Sequence, residues 1–405
     1  MTKKPVVLAF SGGLDTSFCV PWLAEQGYEV TTLFVDTGGV TEDERAYIAA
    51  RSAELGAVRH EVAEAGAEVW RHVVLPMLWG GCFYQNQYPL LCSDRYVIVK
   101  KALELCDRVG TRNFAHGCTG MGNDQVRFDL TVRGLGDYDI VAPIREIQQQ
   151  QVNVREYEKV YLETRGFAVR AKTSAYTINE NLLGVTISGS EVDRWEPPGP
   201  ETWQLTRRAD QWPSEPMRLR VGFERGVPVS IDGNGFAGPA MLAELNRRFG
   251  AYGVGRGMYT GDTVIGLKGR IVFEAPALTA LHAAHRALEE AVSTRHQNSF
   301  KPLAAMKWVE LLYQGFFYEP LKSDLEAYLR SSQRVVSGEV TLQTSGGTVD
   351  AVAIDSPHIL RAPGATYAQS ADWSVTEAEG FIKLFGQSSS LWTLANGKSD
   401  DSPGQ

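Results

Sequence analysis

Val6-Val7-Leu8-Ala9-Phe10 runs directly into Ser11-Gly12-Gly13-Leu14-Asp15-Thr16-Ser17. The first five residues are a short, unbroken apolar run, the pattern of a strand buried on both faces of a parallel sheet. The two glycines let the backbone turn tightly and bring its N–H groups close to an anion. Ser11, Thr16 and Ser17 add hydroxyl donors. A helix beginning near Thr16 turns unpaired N–H groups and its positive dipole end to the same point. A carboxylate inside an anion cradle needs a cation, so Asp15 reads as a ligand of Mg2+ on bound phosphates. The ordinary alternative is a Gly-Gly turn with a Ser/Thr helix cap; the place between first strand and first helix argues against it.

Outward from this loop, residues 30–35 form a second apolar run, and 114–116 and 140–143 are further strand candidates. Helical patterns lie between them at 17–26, 67–79 and 94–109. Another opens on the capping box Thr41-Glu42-Asp43-Glu44 and runs to about Leu55. Strand–helix alternation predicts an α/β fold with a doubly wound parallel sheet. Residues 146–166 read as one long amphipathic connecting helix. Residues 191–216 are rich in Pro, Trp and Glu and read as an irregular excursion. From Leu219 on, strand pairs mix with helices at 241–249 and 279–292. The expected domains are a nucleotide-binding domain at 1–168, an α+β synthetase and multimerisation domain at 169–360, and a C-terminal arm at 361–386. Residues 387–405, Ser/Gly/Asp-rich, are expected to be a disordered tail.

The formal charge is −8, which argues against broad nucleic-acid binding. The apolar runs fall short of the roughly 18 residues of a membrane span, and residues 6–10 are too few for a signal-peptide core. A cytoplasmic chain is expected. Five cysteines (19, 82, 92, 106 and 118) without C-x-x-C spacing read as reduced, mostly buried thiols. His282 and His285 share a helix face but lack an evident third metal ligand; helix packing is the plainer reading.

The loop is neither a Walker sequence nor G-x-G-x-x-G. It resembles the pyrophosphate loop of the ATP pyrophosphatase superfamily, which implies that pyrophosphate leaves as a carbonyl-type oxygen attacks the α-phosphorus. Val35-Asp36-Thr37-Gly38-Gly39 ends the second strand, where ligands bind in such sheets. A second dense cluster is His116-Gly117-Cys118-Thr119-Gly120-Met121-Gly122-Asn123-Asp124-Gln125-Val126-Arg127-Phe128. It offers Arg for a carboxylate, Asp for an ammonium, and Thr and Asn for orientation, a set that suits an amino-acid substrate.

Together the two signatures resemble argininosuccinate synthase. Supporting matches include Ala142-Pro143-Ile144-Arg145-Glu146, Glu180-Asn181-Leu182 and Gly380-Phe381-Ile382-Lys383-Leu384, and the likeness covers residues 5–386. The resemblance implies ATP at Ala9, Phe10, Ser11, Gly12, Gly13, Leu14, Asp15, Thr16, Ser17 and Gly117, with Val35 on the adenosine. It implies aspartate at Thr119, Asn123 and Asp124, and citrulline at Tyr88, Ser93, Asn123, Arg127, Thr177, Thr186, Gly261 and Phe273. Asp15, Asp124 and Arg127 are the expected catalytic residues, Asp124 as an acceptor for the aspartate proton. The resemblance also implies a homotetramer, assembled through an arm near residues 378–384.

Four acceptor positions depart from the family. Thr177 and Thr186 stand for serines, Gly261 for a glutamate and Phe273 for a tyrosine, while the aspartate positions are intact. That asymmetry predicts a changed acceptor: one without a free α-ammonium, or bulkier where Gly261 leaves space. Against this, Asp262 offers a carboxylate one residue on. The readings carried forward are an argininosuccinate synthase-like ligase, an aspartate ligase for another ureido, amide or carboxylate acceptor, and a non-catalytic nucleotide-binding protein.

Overall fold

A computed structural model describes residues 3–151, 153–169, 176–236, 238–367 and 369–397. It divides into one unit that ends at His358 and a second that begins at Ile359.

The first unit opens with alternating strands and helices: β1 (Lys4–Ala9), α1 (Leu14–Glu25), β2 (Tyr28–Asp36), α2 (Glu42–Glu54), β3 (Arg59–Glu64), α3 (Gly66–Val69), α4 (Leu75–Gly80), α5 (Arg95–Val109), β4 (Asn113–Ala115), α6 (Asn123–Leu135), β5 (Asp139–Val141), α7 (Pro143–Gln148) and α8 (Val154–Glu163). The five strands form a parallel sheet in the order β3-β2-β1-β4-β5. Central β1 and β2 are apolar because helices cover both faces. Val6, Leu8 and Phe10 pack with Phe18 and Leu23 of α1 and Leu162 of α8. Side chains alternate along a strand, so Val7 and Ala9 face the other side, where α5 lies against β1. This is the expected doubly wound sheet.

Local chemistry sets the boundaries. Thr41 caps α2 by accepting from the Glu44 N–H at 3.3 Å. Residues 146–166 are not one helix, a correction to the sequence reading: α7 stops at Gln148, and Asn153 starts α8 by accepting from the Glu156 N–H. The predicted 67–79 helix is α3 and α4 joined through a π-helical turn at Trp70–Val74. β3 and α6 carried no prediction.

The rest of the unit is α+β. It contains β6 (Tyr176–Asn181), β7 (Gly184–Gly189), α9 (Ser190–Asp193), β8 (Met217–Glu224), β9 (Val227–Ile231), β10 (Asn234–Gly235), α10 (Pro239–Gly250), β11 (Arg256–Asp262), β12 (Lys268–Glu274), α11 (Pro276–Val292), α12 (Arg295–Gln314), α13 (Pro320–Ser332), β13 (Gly338–Gly346) and β14 (Thr348–Asp355). Two antiparallel sheets result, β11-β12-β7-β6 and β10-β9-β8-β13-β14. The second unit holds α14 (Val375–Phe385), begun by a Ser374/Glu377 capping box, and α15 (Gln387–Asn396). α15 is a second correction, since disorder was expected over 387–405; residues 398–405 lie outside the described residues. Phe381, Ile382, Leu384, Phe385, Leu391, Trp392 and Leu394 of these helices are exposed.

Candidate active site

The order 3-2-1-4-5 places a topological switch between β1 and β4, the crevice where doubly wound sheets bind ligands. The loops leaving these strands are the two dense signatures, and they touch. A Cβ on Gly117 would stand 3.2 Å from Thr16 Cγ2 and 3.3 Å from the Thr16 N. The glycine permits that approach.

In the first loop Gly12 adopts φ +73°, the left-handed conformation that favours glycine. The hydroxyls brace the turn: Thr16 Oγ1 donates to Gly13 O and Ser17 Oγ to Gly12 O, each at 3.4 Å. Gly13 begins α1 without a side-chain cap. The N–H groups of the first turn are therefore available to an anion, and the dipole adds to the attraction.

Asp15, in that first turn, faces Glu158 of α8. Glu158 is fully buried, and apart from Asp15 its oxygens have no hydrogen-bond partner among the described residues. Burial and then the Asp15 charge push the Glu158 carboxyl up. Burial also raises Asp15, against the pull of Arg155. Two facing acidic side chains, with the Glu158 oxygens meeting only Asp15 among the described residues, are a donor set that suits a hard divalent cation.

The second signature opens α6. Asp124 lies in the first turn of α6 and bridges two guanidinium groups, accepting from Arg127 Nη1 at 2.7 Å and Arg95 Nε at 3.1 Å. Burial opposes the Asp124 charge, but Arg95 and Arg127 outweigh it and hold the carboxyl down at about 2. A carboxylate so stabilised is a poor proton acceptor near neutral pH; its geometry is that of a charge anchor, against the role expected from sequence. Arg127 is buried, donates from Nε to Tyr313 O at 3.0 Å, and lies over the Tyr313 ring. Asn123 donates from Nδ2 to the Tyr313 hydroxyl at 3.3 Å and accepts at Oδ1 from the Val264 N–H at 2.9 Å. The β11–β12 turn is thereby tied to the signature.

The expected acceptor residues divide. Tyr88 is buried edge-on to Phe273, with ring centroids 5.8 Å apart, and hydrogen-bonds Thr186. Thr186 and Phe273 are register partners on β7 and β12. Ser93 is buried, and its hydroxyl has no partner among the described residues. Thr177 lies apart on β6, where its hydroxyl accepts from Arg155 Nη2 at 3.0 Å. The space expected at Gly261 is absent, a third correction: a Cβ there would stand 2.3 Å from Gln85 Oε1. Asp262 accepts from Gln85 Nε2 at 3.0 Å and Lys268 Nζ at 2.5 Å.

Val35 is buried at the end of β2, and Thr37 beyond it donates to Asp94 at 3.2 Å. The histidines of α11 serve packing: His282 donates to Gly81 O, and His285 is buried at 2.8 Å from Gln333 Oε1. Arg95, Glu158 and Tyr313 escaped sequence reading, because nothing near them in the chain marks them as partners of Asp15, Asp124 or Arg127.

Residues 5–162 match the family described as Arginosuccinate synthase N-terminal HUP domain, and residues 176–392 match Arginosuccinate synthase C-terminal domain. The chain is similar to the argininosuccinate synthase of Xanthomonas campestris pv. campestris, 62% identical across 98% of this chain and 100% of the relative. The Xylella fastidiosa protein of that name is 60% identical, over 98% and 99%. The Bacillus subtilis one is 35% identical, over 95% of each.

Proposed function

The chain belongs to the argininosuccinate synthase family, and from that premise we propose how its residues join citrulline to aspartate with ATP. The observation that carries the reading is the meeting of two signatures at the β1/β4 switch, beside an uncapped helix start.

Amides of the first turn of α1, with Ser11, Thr16 and Ser17, hold the β- and γ-phosphates as a leaving pyrophosphate. Val35 and Gly117 border the nucleoside. The citrulline ureido oxygen attacks the α-phosphorus; the new O–P bond forms as the bond to pyrophosphate breaks. The neutral α-amine of aspartate then attacks the activated carbon, and AMP leaves with the ureido oxygen. Thr119, Asn123 and Asp124 hold aspartate, and Tyr88, Ser93, Thr186 and Arg127 line the acceptor side. Catalysis is mainly positioning and charge neutralisation. Mg2+ fits the carboxylates at Asp15 and Glu158, and there it would neutralise charge on the departing pyrophosphate.

Citrulline is the acceptor in this reading. The filled space at Gly261 removes the argument for a bulkier one. The exposed apolar residues of α14 and α15 support burial between subunits, and we take the assembly to be a homotetramer. Among the described residues, no helix is long and apolar enough to cross a membrane; a cytoplasmic enzyme is proposed.

The test is product stoichiometry. Over many turnovers AMP and pyrophosphate should form one-to-one, and only with both aspartate and citrulline present. ADP and orthophosphate as stoichiometric products would overturn the reading.

A further inference from the structure

Residues 117–120 carry no regular structure, yet side chains outside the expected site hold both ends. His116 follows β4 and is buried, 1% exposed. Its Nδ1 accepts from the Cys118 N–H at 3.1 Å. An imidazole nitrogen that accepts has no hydrogen, so in the neutral ring Nε2 must carry it. Nε2 lies 3.1 Å from Asp129 Oδ1 and also 3.1 Å from Arg145 Nη2; a guanidinium only donates, so the Asp129 carboxylate is the group that accepts the Nε2 hydrogen. Asp129 is itself clamped by Arg145, whose Nη1 reaches Oδ2 at 2.8 Å and whose Nη2 reaches Oδ1 at 3.0 Å. Phe114 and Phe128 flank the imidazole. At the other end the Gly120 N–H donates to Gln148 Oε1 at 2.6 Å, and Gly120 O accepts from Gln125 Nε2 at 2.5 Å.

We propose that His116 is a positioning residue of the ligation reaction: locked by the Asp129–Arg145 pair with its hydrogen on Nε2, it uses Nδ1 to hold the Cys118 amide. Gly117 is thereby kept against the phosphate loop and Thr119 against aspartate. The inference rests on the proposed function for what those two residues bind. His116 touches no substrate; it acts through the backbone of residues 117–119.

The arrangement also implies a pH limit. Asp129 and Arg145 are the charged groups facing the ring, and burial keeps His116 below the ordinary histidine range. Protonation would put a hydrogen on Nδ1, break the Cys118 bond and release the loop. Activity should therefore fall on the acid side of the usual histidine titration.

Three substitutions separate the parts. His116→Asn keeps an acceptor where Nδ1 stood. His116→Gln places its amide near Nε2 and loses the Cys118 bond, and His116→Phe loses both. His116→Asn should retain activity within a few-fold and lack the acid limb. His116→Gln and His116→Phe should lose about 10- to 100-fold in kcat/KM for aspartate, the scale of a small misplacement, with KM for citrulline little changed. Hydrogen exchange of residues 117–122 should rise in the Gln and Phe variants and not in Asn, a readout independent of turnover. If the Gln and Phe variants, folded by thermal melting, match wild type in activity and exchange, the proposal is wrong. It is equally wrong if Asn falls as far as Gln. Failure of wild type to form AMP with aspartate and citrulline would instead strike the proposed function and leave the exchange test standing.

Discussion

The Tyr259 hydroxyl lies 2.4 Å from the point where a Cβ on residue 261 would stand, so any side chain at Gly261 forces Tyr259 or Gln85 to shift. The same hydroxyl is 2.9 Å from Gln85 Oε1, and the Tyr259 ring lies 5.7 Å from that of Tyr88, one of the residues proposed to line the acceptor side. Gly261→Ala should cost about 1–3 kcal/mol of stability, the usual range for overpacking, and should raise KM for citrulline more than KM for aspartate. Tyr259→Ala combined with Gly261→Ala should recover part of the loss. Melting and substrate kinetics check this; a Gly261→Ala enzyme indistinguishable from wild type would show that the contact relaxes freely.

Asp15→Ala removes the carboxylate from the first turn of α1, and Glu158 loses the group it faces. Turnover should fall on the order of 100- to 1,000-fold, the scale seen when one preorganised electrostatic group is removed. The structure should persist, because Asp15 is not part of the apolar core around Phe18 and Leu23. Steady-state kinetics and circular dichroism together decide the point, and near-normal turnover would remove Asp15 from the catalytic set.

The Asp124 carboxyl sits at about 2 in the folded chain, against roughly 3.9 when unfolded. A lowered carboxyl pKa stabilises the fold above the unfolded value, and that stability is lost as pH falls from about 4 through about 2. Asp124 is partly exposed, which reduces the effect to about 1–2 kcal/mol at neutral pH. Asp124→Asn should be less stable by that amount at pH 7 and close to wild type below pH 2. Denaturant unfolding at several pH values measures the difference. A constant gap across the range would mean that the loss is packing and not charge.

Glutamate should replace aspartate poorly. Thr119 and Asn123 are proposed to hold aspartate beside Asp124, which Arg127 and Arg95 clamp in place. One extra methylene would displace the amine from the activated carbon, on the order of 100-fold in kcat/KM. Comparable values for the two amino acids would contradict these roles.

Deleting α14 and α15 should reduce the size of the assembly in light scattering, because exposed Phe381, Ile382, Leu384, Leu391 and Trp392 seek cover. An unchanged mass after deletion would place the subunit contacts elsewhere.

Much of this protein was decided within short stretches of chain. The strand, the Gly-Gly turn and the start of α1 are contiguous, so the phosphate loop is legible without tertiary contacts. The same holds for the apolar centre of β2, the capping box of α2, and the density of polar groups from His116 to Arg127. Other features required the folded molecule. β3 reads Arg-His-Glu-Val-Ala-Glu, a polar edge strand whose pairing with β2 comes from the backbone and leaves little apolar signal. α6 begins inside a segment that reads as a loop, because polar residues at its start serve the site. Glu158 meets Asp15, Arg95 meets Asp124, and Tyr313 meets Arg127 only after sheet and helices pack. Gly261 shows the limit most plainly. By itself the glycine suggests an opening, and only the fold reveals that Tyr259 and Gln85 fill the space, because close packing is settled between residues far apart in the chain.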